Sequence, residues 1–277
     1  MSLSLVSIGY TYGRGTSFGM RALHDVSLEV APGELVLVLG ATGSGKSTLL
    51  RIAAGLLRAD EGEAVLDGVS LDRGSARGVV GLIFQDAESQ LFADTVLEDV
   101  AFGPRNMGAS REEALASATE SLRAVGLDPA TFKDRSPFSL SGGEARRVAI
   151  AGVLAFHPRY LLADEPTAGL DAKGRRAMRS LLLEARAKAG VVVVSHGAEE
   201  FLADADRVIV LSGGGCALSS TPRELVATPS MFDRVGLRAP DVLEVQRLAA
   251  SRRSADMPYT LDPAEAARSL THGGGQR

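Results

Sequence analysis

The sequence GATGSGKST, residues Gly40–Thr48, lies between an apolar run and a helical pattern. Its spacing is GxxxxGKS, and the preceding LVLVL at Leu35–Leu39 is typical of a buried strand. Glycines in such a loop let backbone N–H groups surround phosphate oxygens, while a lysine neutralises the β and γ oxygens. The pattern predicts a strand–loop–helix unit that binds a nucleotide through these residues: Gly40, Ala41, Thr42, Gly43, Ser44, Gly45, Lys46, Ser47 and Thr48.

The overall composition excludes several other classes of protein. With 30 basic and 34 acidic residues among 277, the net charge of −4 gives no general attraction to nucleic acid, so we expect no direct nucleic-acid partner. The single cysteine cannot form an internal disulfide, and MSLSLVSIGY at the start lacks the features of a signal peptide. No apolar run approaches the roughly 18 residues of a spanning helix, so we expect a cytosolic chain whose membrane role needs a protein partner.

Short apolar runs, bounded by Gly, Pro or charged residues, predict strands buried on both faces. They lie at Leu35–Leu39, Val79–Phe84, Tyr160–Ala163, Val191–Ser195 and Val208–Leu211. Helical patterns at Lys46–Leu57 and Arg175–Ala189 lie between them, which predicts an α/β fold with a largely parallel sheet. The alternating pattern of Leu3–Val30 predicts an antiparallel flanking sheet.

The chain divides into three predicted parts. Residues 1–220 form the main domain, and residues 87–147 within it form a helical insert, in which Ser110 and Glu113 have the spacing of a capping box. Residues 221–270 predict a small C-terminal helical extension, and residues 271–277, which contain THGGGQR from Thr271, predict a disordered tail.

A second motif, YLLADEP at Tyr160–Pro166, is an apolar strand that ends in two acidic residues. Beside a phosphate-binding loop, Asp164 is expected to hold Mg²⁺ directly or through water, and Ser47 to add its hydroxyl. Glu165 is expected to orient and deprotonate an attacking water. Without the glycine-rich loop upstream, an acidic loop that caps a strand explains the motif equally well.

Gln85 follows the strand-like GLIF, and His196 follows VVVVS. Lone Gln and His residues are more often ordinary polar groups at strand ends. In a parallel sheet, however, ligands bind beyond the carboxyl ends of the strands, where both residues would lie. We therefore expect Gln85 and His196 to sense the γ-phosphate.

The sequence LSGGE at residues 140–144 runs directly into the helical pattern ARRVAIAGVLA. The N-terminus of a helix attracts phosphate, so Ser141, Gly142, Gly143 and Glu144 predict a second phosphate-binding turn. It is far in sequence from the first one.

In their order along the chain, GATGSGKST, Gln85, LSGGE, YLLADEP, AGLD at Ala168–Asp171 and VSHG resemble the ATP-binding cassette (ABC) family. The resemblance implies a P-loop NTPase (RecA-like) core and places LSGGE as the signature sequence, which binds the ATP held by a second subunit. Two subunits then close head to tail around two nucleotides. It also implies a Mg²⁺ contact at Gln85 and a nucleotide contact at Asp171.

In this family an aromatic residue stacks on adenine. Tyr12 in YTY has the matching position, and Tyr10 is the alternative because period-2 alternation puts both rings on one face. Both rings packing on the antiparallel sheet is the third possibility.

A more specific likeness lies in FQDAESQLFADTVLEDVAFGPRNMG, residues 84–108, and in residues 221–249. Both segments resemble the ATPases of energy-coupling-factor transporters, which import cobalt, nickel or vitamins. Glu144 stands where the signature sequence usually has Gln. The resemblance implies a MgATP-hydrolysing subunit at the cytoplasmic face of the membrane.

The expected partners follow from the same resemblance. They are a second ATPase, either another copy or a paralogue, a transmembrane coupling subunit and a membrane substrate-binding subunit. The alternatives are the ATPase of another ABC transporter, or a soluble ABC ATPase that acts on nucleic acid or ribosomes.

Overall fold

The chain folds into two β-sheets with helices packed against them. The computed structural model describes residues 1–71, 76–253 and 258–272. The strands of the smaller sheet are β1 (Leu3–Tyr12), β2 (Met20–Val30), β4 (Glu61–Leu66) and β5 (Val69–Ser70). They pair antiparallel in the order β2-β1-β4-β5. The antiparallel flanking sheet predicted from residues 3–30 is confirmed.

The larger sheet has six strands. They are β3 (Leu35–Leu39), β6 (Val80–Ile83), β7 (Tyr160–Asp164), β8 (Gly190–Ser195), β9 (Arg207–Ser212) and β10 (Gly215–Ser220). The order is β10-β9-β3-β8-β7-β6, with β10 antiparallel to β9 and the other pairs parallel. The predicted α/β fold with a largely parallel sheet is confirmed.

The central strands of the larger sheet are buried on both faces. In β3, Leu35, Leu37 and Leu39 contact the core on one side, while Val36 and Val38 contact the core shared with the smaller sheet. Each of these five side chains is fully buried. Because β3, β6, β7 and β8 are parallel, their carboxyl ends lie at one edge of the sheet. The phosphate-binding loop, Gln85 and His196 come just after these ends, and the acidic pair spans the end of β7.

Ten α-helices complete the described part of the chain. They are α1 (Lys46–Ala53), α2 (Val96–Asn106), α3 (Arg111–Ala124), α4 (Pro129–Phe132), α5 (Gly142–Leu154), α6 (Ala172–Arg186), α7 (Pro222–Ala227), α8 (Ser230–Arg234), α9 (Asp241–Arg253) and α10 (Pro263–His272). None of the described helices has both the length and the apolar character that crossing a membrane requires.

Helices α2 to α5 form the insert between β6 and β7, and the fully described residues 87–147 contain no strand. The predicted capping box is present at the start of α3. The Ser110 N–H donates to the Glu113 carboxylate at 2.8 Å, and the Glu113 N–H donates to the Ser110 hydroxyl at 3.2 Å. These bonds satisfy two N–H groups that the helix itself leaves unpaired.

The C-terminal helices pack on the main body of the protein. Leu225, Phe232 and Leu243 are buried in the same core cluster as the strands of the larger sheet. The predicted tail begins within a helix, because α10 includes Thr271 and His272. The rest of that predicted tail, residues 273–277, lies outside the described residues.

Some boundaries differ from the sequence prediction. Helix α1 ends at Ala53 rather than at Leu57, because Gly55 adopts a left-handed φ of 68° and its N–H bonds to the carbonyl of Ile52. Strands β4, β5 and β10 were not predicted. The sequences of β4 and β10, EGEAVL and GCALSS, contain few β-branched or aromatic residues, so the neighbouring strands impose the conformation.

Candidate active site

The glycine-rich loop joins β3 to α1, as predicted, and two of its glycines are required by their surroundings. At Gly40, with φ 154°, an added Cβ would lie 2.4 Å from the carbonyl oxygen of Leu211. At Gly45, with φ 99°, it would lie 2.6 Å from the carbonyl oxygen of Ala22. Only glycine fits this close packing of the loop against β9 and β2 of the same chain.

Lys46 opens α1 and is 5% exposed. Its Nζ donates to the carbonyl oxygens of Gly40 at 2.7 Å and Ala41 at 3.0 Å. Burial lowers the pKa of Lys46, and the negative charges of Glu165 and Asp164 oppose that shift. The ammonium group thus lies against the loop and close to two carboxylates.

A cavity of about 220 Å³ collects most of the predicted nucleotide residues. Its lining includes the following residues of the prediction: Tyr12, Thr42, Gly43, Gly45, Lys46, Ser47, Thr48, Gln85, Asp164, Glu165 and His196. The strand order explains most of this assembly, because all of these residues except Tyr12 lie at or after the ends of β3, β6, β7 and β8 at a common edge of the larger sheet. Tyr12 is the last residue of β1 in the smaller sheet. Met20 and Arg21 also line the cavity, and the sequence analysis missed them.

Met20 and Arg21 gave no sequence signal of their own. They reach the cavity because Met20 pairs with Tyr12, and Arg21 with Thr11, across the β1–β2 ladder. Strand register, which the sequence pattern leaves open, decides this placement.

Three buried oxygens at this edge have no hydrogen-bond partner among the described residues. They are Ser44 Oγ, Asp164 Oδ1 and Glu165 Oε1. Buried polar atoms without a partner are costly, so a ligand that bonds them is favoured. Mg²⁺ prefers oxygen ligands, so Asp164 Oδ1, together with the Ser47 hydroxyl and the Gln85 side-chain oxygen on the same cavity, fits Mg²⁺ held with nucleotide phosphates.

Glu165 directly follows β7 and is 7% exposed. Its backbone has a left-handed φ of 49°, which is unusual for a residue other than glycine. His196 Nε2 lies 3.1 Å from Glu165 Oε1, although the pair lacks the alignment of a hydrogen bond. Burial raises the pKa of Glu165, and the charges of His196 and Lys46 act in the opposite direction.

The two tyrosines of β1 have different environments. The Tyr12 hydroxyl lies 3.1 Å from Thr48 Oγ1, and the ring borders the cavity. The Tyr10 ring meets Tyr12 edge-on, with ring centroids 4.9 Å apart, and packs against the core between the sheets. Of the two residues, Tyr12 is the one that borders the cavity.

The turn formed by LSGGE, residues 140–144 and here called the signature turn, lies outside the cavity that holds Lys46. Ser141 precedes α5, and both its N–H and its hydroxyl donate to the Glu144 carboxylate at 2.8 Å. These bonds, with the charges of Arg135 and Arg147, lower the pKa of Glu144. A Cβ added at Gly142 or Gly143 would meet no atom within 4 Å. Nothing in the described chain requires glycine at either position.

Asp171 also lies away from the phosphate-binding loop. Its carboxylate accepts the Gly174 N–H at 2.7 Å at the start of α6. Together with Gly143 it lines a second cavity of about 450 Å³. The structure therefore brings Asp171 near the signature turn of the same chain and leaves both apart from Lys46.

A phosphate-binding loop and an acidic pair at adjoining strand ends of a mainly parallel sheet define a P-loop nucleotide hydrolase. The family model described as ABC transporter matches residues 23–168. The chain belongs to the ABC transporter family.

Individual relatives support this assignment over nearly the whole chain. The energy-coupling factor transporter ATP-binding protein EcfA2 of Symbiobacterium thermophilum is 47% identical over 246 residues, which are 87% of this chain and 85% of the relative. The EcfA2 of Streptococcus thermophilus is 40% identical over 285 residues, covering 99% of this chain and all of the relative. The chain is therefore an ATPase of the energy-coupling-factor type, and the family resemblance inferred from the sequence is confirmed.

Solved structures agree with the fold. CbiO1 of Clostridium perfringens, described as part of the ABC transporter complex cbiONQ, has a TM-score of 0.72 and 32% identity, covering 88% of this chain and 98% of that one. The ATP-binding cassette MJ0796, described as a dimer bound to ADP and Pi, has a TM-score of 0.71 and 33% identity. The match covers 80% of this chain and 99% of the MJ0796 chain.

Proposed function

We propose that the chain is the MgATP-hydrolysing subunit of an energy-coupling-factor importer for a metal ion, such as cobalt or nickel, or for a vitamin. It works at the cytoplasmic face of the membrane, to which membrane subunits hold it. The observation that carries the proposal is the cavity that Lys46 lines together with Asp164 and Glu165, each of which has a buried oxygen without a hydrogen-bond partner. The names of the relatives support the importer, since the chain covers nearly their full lengths.

The residues of the cavity have distinct proposed roles. Lys46 neutralises phosphate charge, and Tyr12 stacks on the base. Ser47, Gln85 and Asp164 would hold Mg²⁺, which supplies charge neutralisation at the phosphates when bound. Glu165 accepts a proton from the attacking water, and burial, which raises its pKa, makes the carboxylate a stronger base.

Two further residues complete the proposed site. His196, next to Glu165, contacts the γ-phosphate and helps to orient the water, and Gln85 senses the same phosphate. The remaining predicted residues, Ser141, Gly142, Gly143, Glu144 and Asp171, act at the site of a partner ATPase. The open space at Gly142 and Gly143 supports this role, because the phosphates of a nucleotide held by the partner can approach the backbone there.

An aromatic pair marks the proposed contact with the transmembrane coupling subunit. Phe92 and Phe102 are 56% and 47% exposed, and their rings meet edge-on with centroids 4.7 Å apart. The Asp99 carboxylate accepts the N–H groups of Phe92 and Ala93 at 2.8 Å each, which fixes the loop beneath. The pair lies in the segment 86–103 that follows Gln85, so movement of this sensor can reach the partner.

Changes in this segment should weaken the membrane assembly. For the double variant Phe92→Ala with Phe102→Ala, and for the charge reversals Glu88→Lys and Asp94→Lys, we expect about 10-fold less coupling subunit in a pull-down from membranes. ATP affinity should be unchanged, because none of these side chains lines the nucleotide cavity. The control is Phe18→Ala, an 88% exposed phenylalanine in the β1–β2 turn. Full retention of the partner by all the segment variants would contradict the assignment.

The proposed importer itself is tested by what copurifies with the tagged chain from membranes. We expect a transmembrane coupling subunit together with a small, highly apolar substrate-binding protein. Uptake of cobalt, nickel and a panel of vitamins by cells with and without the chain then separates the two substrate classes. Copurification with ribosomes or DNA in place of membrane proteins would contradict the proposal.

The partner ATPase, a second copy or a paralogue, has a proposed contact on α9. Val245 and Leu248 are 53% and 59% exposed, whereas Leu243 and Gln246 on the other side of the helix are buried. Val245 and Leu248 are three positions apart, which places these two exposed apolar side chains on one face of the helix. We propose that this face contacts the C-terminal helices of the partner ATPase.

Charges on this face should weaken association without nucleotide. Val245→Asp combined with Leu248→Asp is expected to raise the dimer dissociation constant about 10- to 100-fold, because burial of each side chain stabilises the contact. Sedimentation without ATP measures the change, and Val69→Asp, at a 68% exposed valine of β5, is the matched control. Unchanged association would show that α9 faces solvent in the assembly.

A further inference from the structure

Arg146 is a buried arginine that contacts the turn carrying Glu165, the proposed general base. It lies on α5, five residues after Ser141, and is 8% exposed. Its Nη1 donates to the carbonyl oxygen of Ala168 at 2.7 Å, and its Nη2 donates to those of Glu165 at 3.0 Å and Pro166 at 2.9 Å. One guanidinium thus holds three carbonyls of the turn that follows β7.

The environment of Arg146 is unusual for a buried charge. Among the ion pairs of the described residues, none involves its guanidinium, and its buried Nε has no hydrogen-bond partner. Taking a charge out of water without an opposite charge is unfavourable, and a well-packed apolar residue is often at least as good for stability. The buried arginine is therefore explained by the three hydrogen bonds that hold the turn, and not by a contribution to the stability of α5.

That turn contains the strained residue of the site. Glu165 has a left-handed φ of 49°, and its carbonyl oxygen accepts both Arg146 Nη2 and the N–H of Ala168, at 3.1 Å. Such a conformation persists in a residue other than glycine only where the surroundings hold it. The two donors on this carbonyl fix the peptide plane and so the direction in which the Glu165 side chain leaves the backbone.

We propose that Arg146 is a positioning residue that holds the backbone of Glu165 and joins α5, the helix that begins at the LSGGE turn, to the general base of the same chain. The inference rests on the proposed role of Glu165. Because the signature turn of one chain serves the nucleotide of its partner, α5 and Arg146 link the base of each site to the occupancy of the other. The planar guanidinium is suited to this link, since it bonds several carbonyls at fixed angles, whereas an ammonium group offers one point charge.

The test compares the full chain carrying Arg146→Gln or Arg146→Lys with the wild type. The matched control is Arg179→Lys, because Arg179 makes two hydrogen bonds to Asp204, at 2.5 and 2.7 Å, away from the turn. Hydrogen exchange of the peptide that covers residues 165–170 reports the turn directly. ATP turnover, measured as kcat and KM separately, reports the consequence for the base.

In both Arg146 variants we expect the Ala168 amide to exchange about 10-fold faster, as after loss of the bonds that hold a turn. We expect kcat to fall about 100-fold with KM within a factor of two, because a misplaced base slows the chemistry and leaves the phosphate-binding loop intact. The Arg179→Lys control should show neither change, even if its melting temperature falls.

Wild-type exchange at residues 165–170 in both Arg146 variants would overturn the inference, and so would faster exchange with unchanged kcat. If Arg146→Gln fails to fold, Arg146→Lys provides the same readouts. Exchange does not depend on turnover, so a failure of the general-base role appears separately, as full activity of Glu165→Gln with an altered turn in the Arg146 variants.

Discussion

Replacing Glu165 with Gln is expected to lower ATP turnover by about 10²- to 10⁴-fold, the usual contribution of a general base. The amide keeps the size and the left-handed backbone position of the side chain but cannot accept the proton of the attacking water. Lys46 and the loop from Gly40 to Thr48 are untouched, so ATP should bind as before. A site that binds without hydrolysing should hold the two ATPase subunits together.

Two measurements on the same preparation test this expectation. Phosphate release at saturating ATP gives the loss of turnover, and gel filtration with ATP shows the trapped dimer. The matched control is Glu200→Gln, since Glu200 also has a buried carboxylate oxygen without a hydrogen-bond partner but does not line the nucleotide cavity. A Glu165→Gln chain with wild-type turnover would remove Glu165 from the mechanism.

The pH dependence gives an independent check on the same residue. A base must be ionised to act, and burial raises the pKa of Glu165 above its ordinary value. In the wild type, kcat/KM, which reports the free enzyme, should therefore fall on acidification at a higher pH than the ~4.3 of a free glutamate would give. The residual activity of Glu165→Gln should lack this acidic limb.

Mixing two inactive variants should restore activity if the signature turn works on the partner's nucleotide. Lys46→Ala removes the charge at the phosphate-binding loop, and Ser141→Arg blocks the signature turn with a bulky cation. Each homodimer then has two damaged sites, and we expect at least about 10²-fold lower turnover, the scale found when one preorganised contact to the reacting group is lost.

In the mixed dimer both substitutions affect the same nucleotide site, and the other site has neither. One site combines the altered loop with the altered signature, and the other combines the intact loop of the Ser141→Arg chain with the intact signature of the Lys46→Ala chain. That second site is complete. The structure supports this design, because Ser141 does not line the cavity that holds Lys46 in the same chain.

Both ATPase activity and ATP-dependent dimer formation should be measured, since one complete site can close without turning over if the two sites are strongly coupled. Affinity tags of two kinds must first show that the variants associate. The matched control mixes Lys46→Ala with Lys46→Ala carrying the other tag, for which no site is complete. With association shown, no recovery in either assay would refute action across the interface.

Much of the fold followed from the sequence because its signals are local. A phosphate-binding loop needs glycines at Gly40 and Gly45 and a lysine at fixed spacing, and buried parallel strands need continuous apolar runs such as that of β3. Period-2 alternation likewise predicted the antiparallel sheet, and the spacing of Ser110 and Glu113 predicted a helix start. Together with the order of the motifs, these signals also predicted the family.

Other features had no local signal. Strand β10 has a sequence with low strand propensity and forms because the edge of β9 offers unpaired backbone groups. Alternation put Tyr10 and Tyr12 on one face, and only the pairing of Tyr12 with Met20 at the end of β1 decided which ring borders the cavity. The roles of the site residues remain predictions, whereas their positions in the fold are now known.

The sequence by itself determined which groups the protein can offer to a nucleotide, because each motif is a short segment whose spacing fixes its local geometry. The tertiary structure alone decided which of these groups meet. It gathered the ends of β3, β6, β7 and β8 into one cavity, left the signature turn apart from it, and joined the two through Arg146. These contacts depend on strand order and on helix packing between residues distant in sequence. Residue spacing within a motif does not predict them.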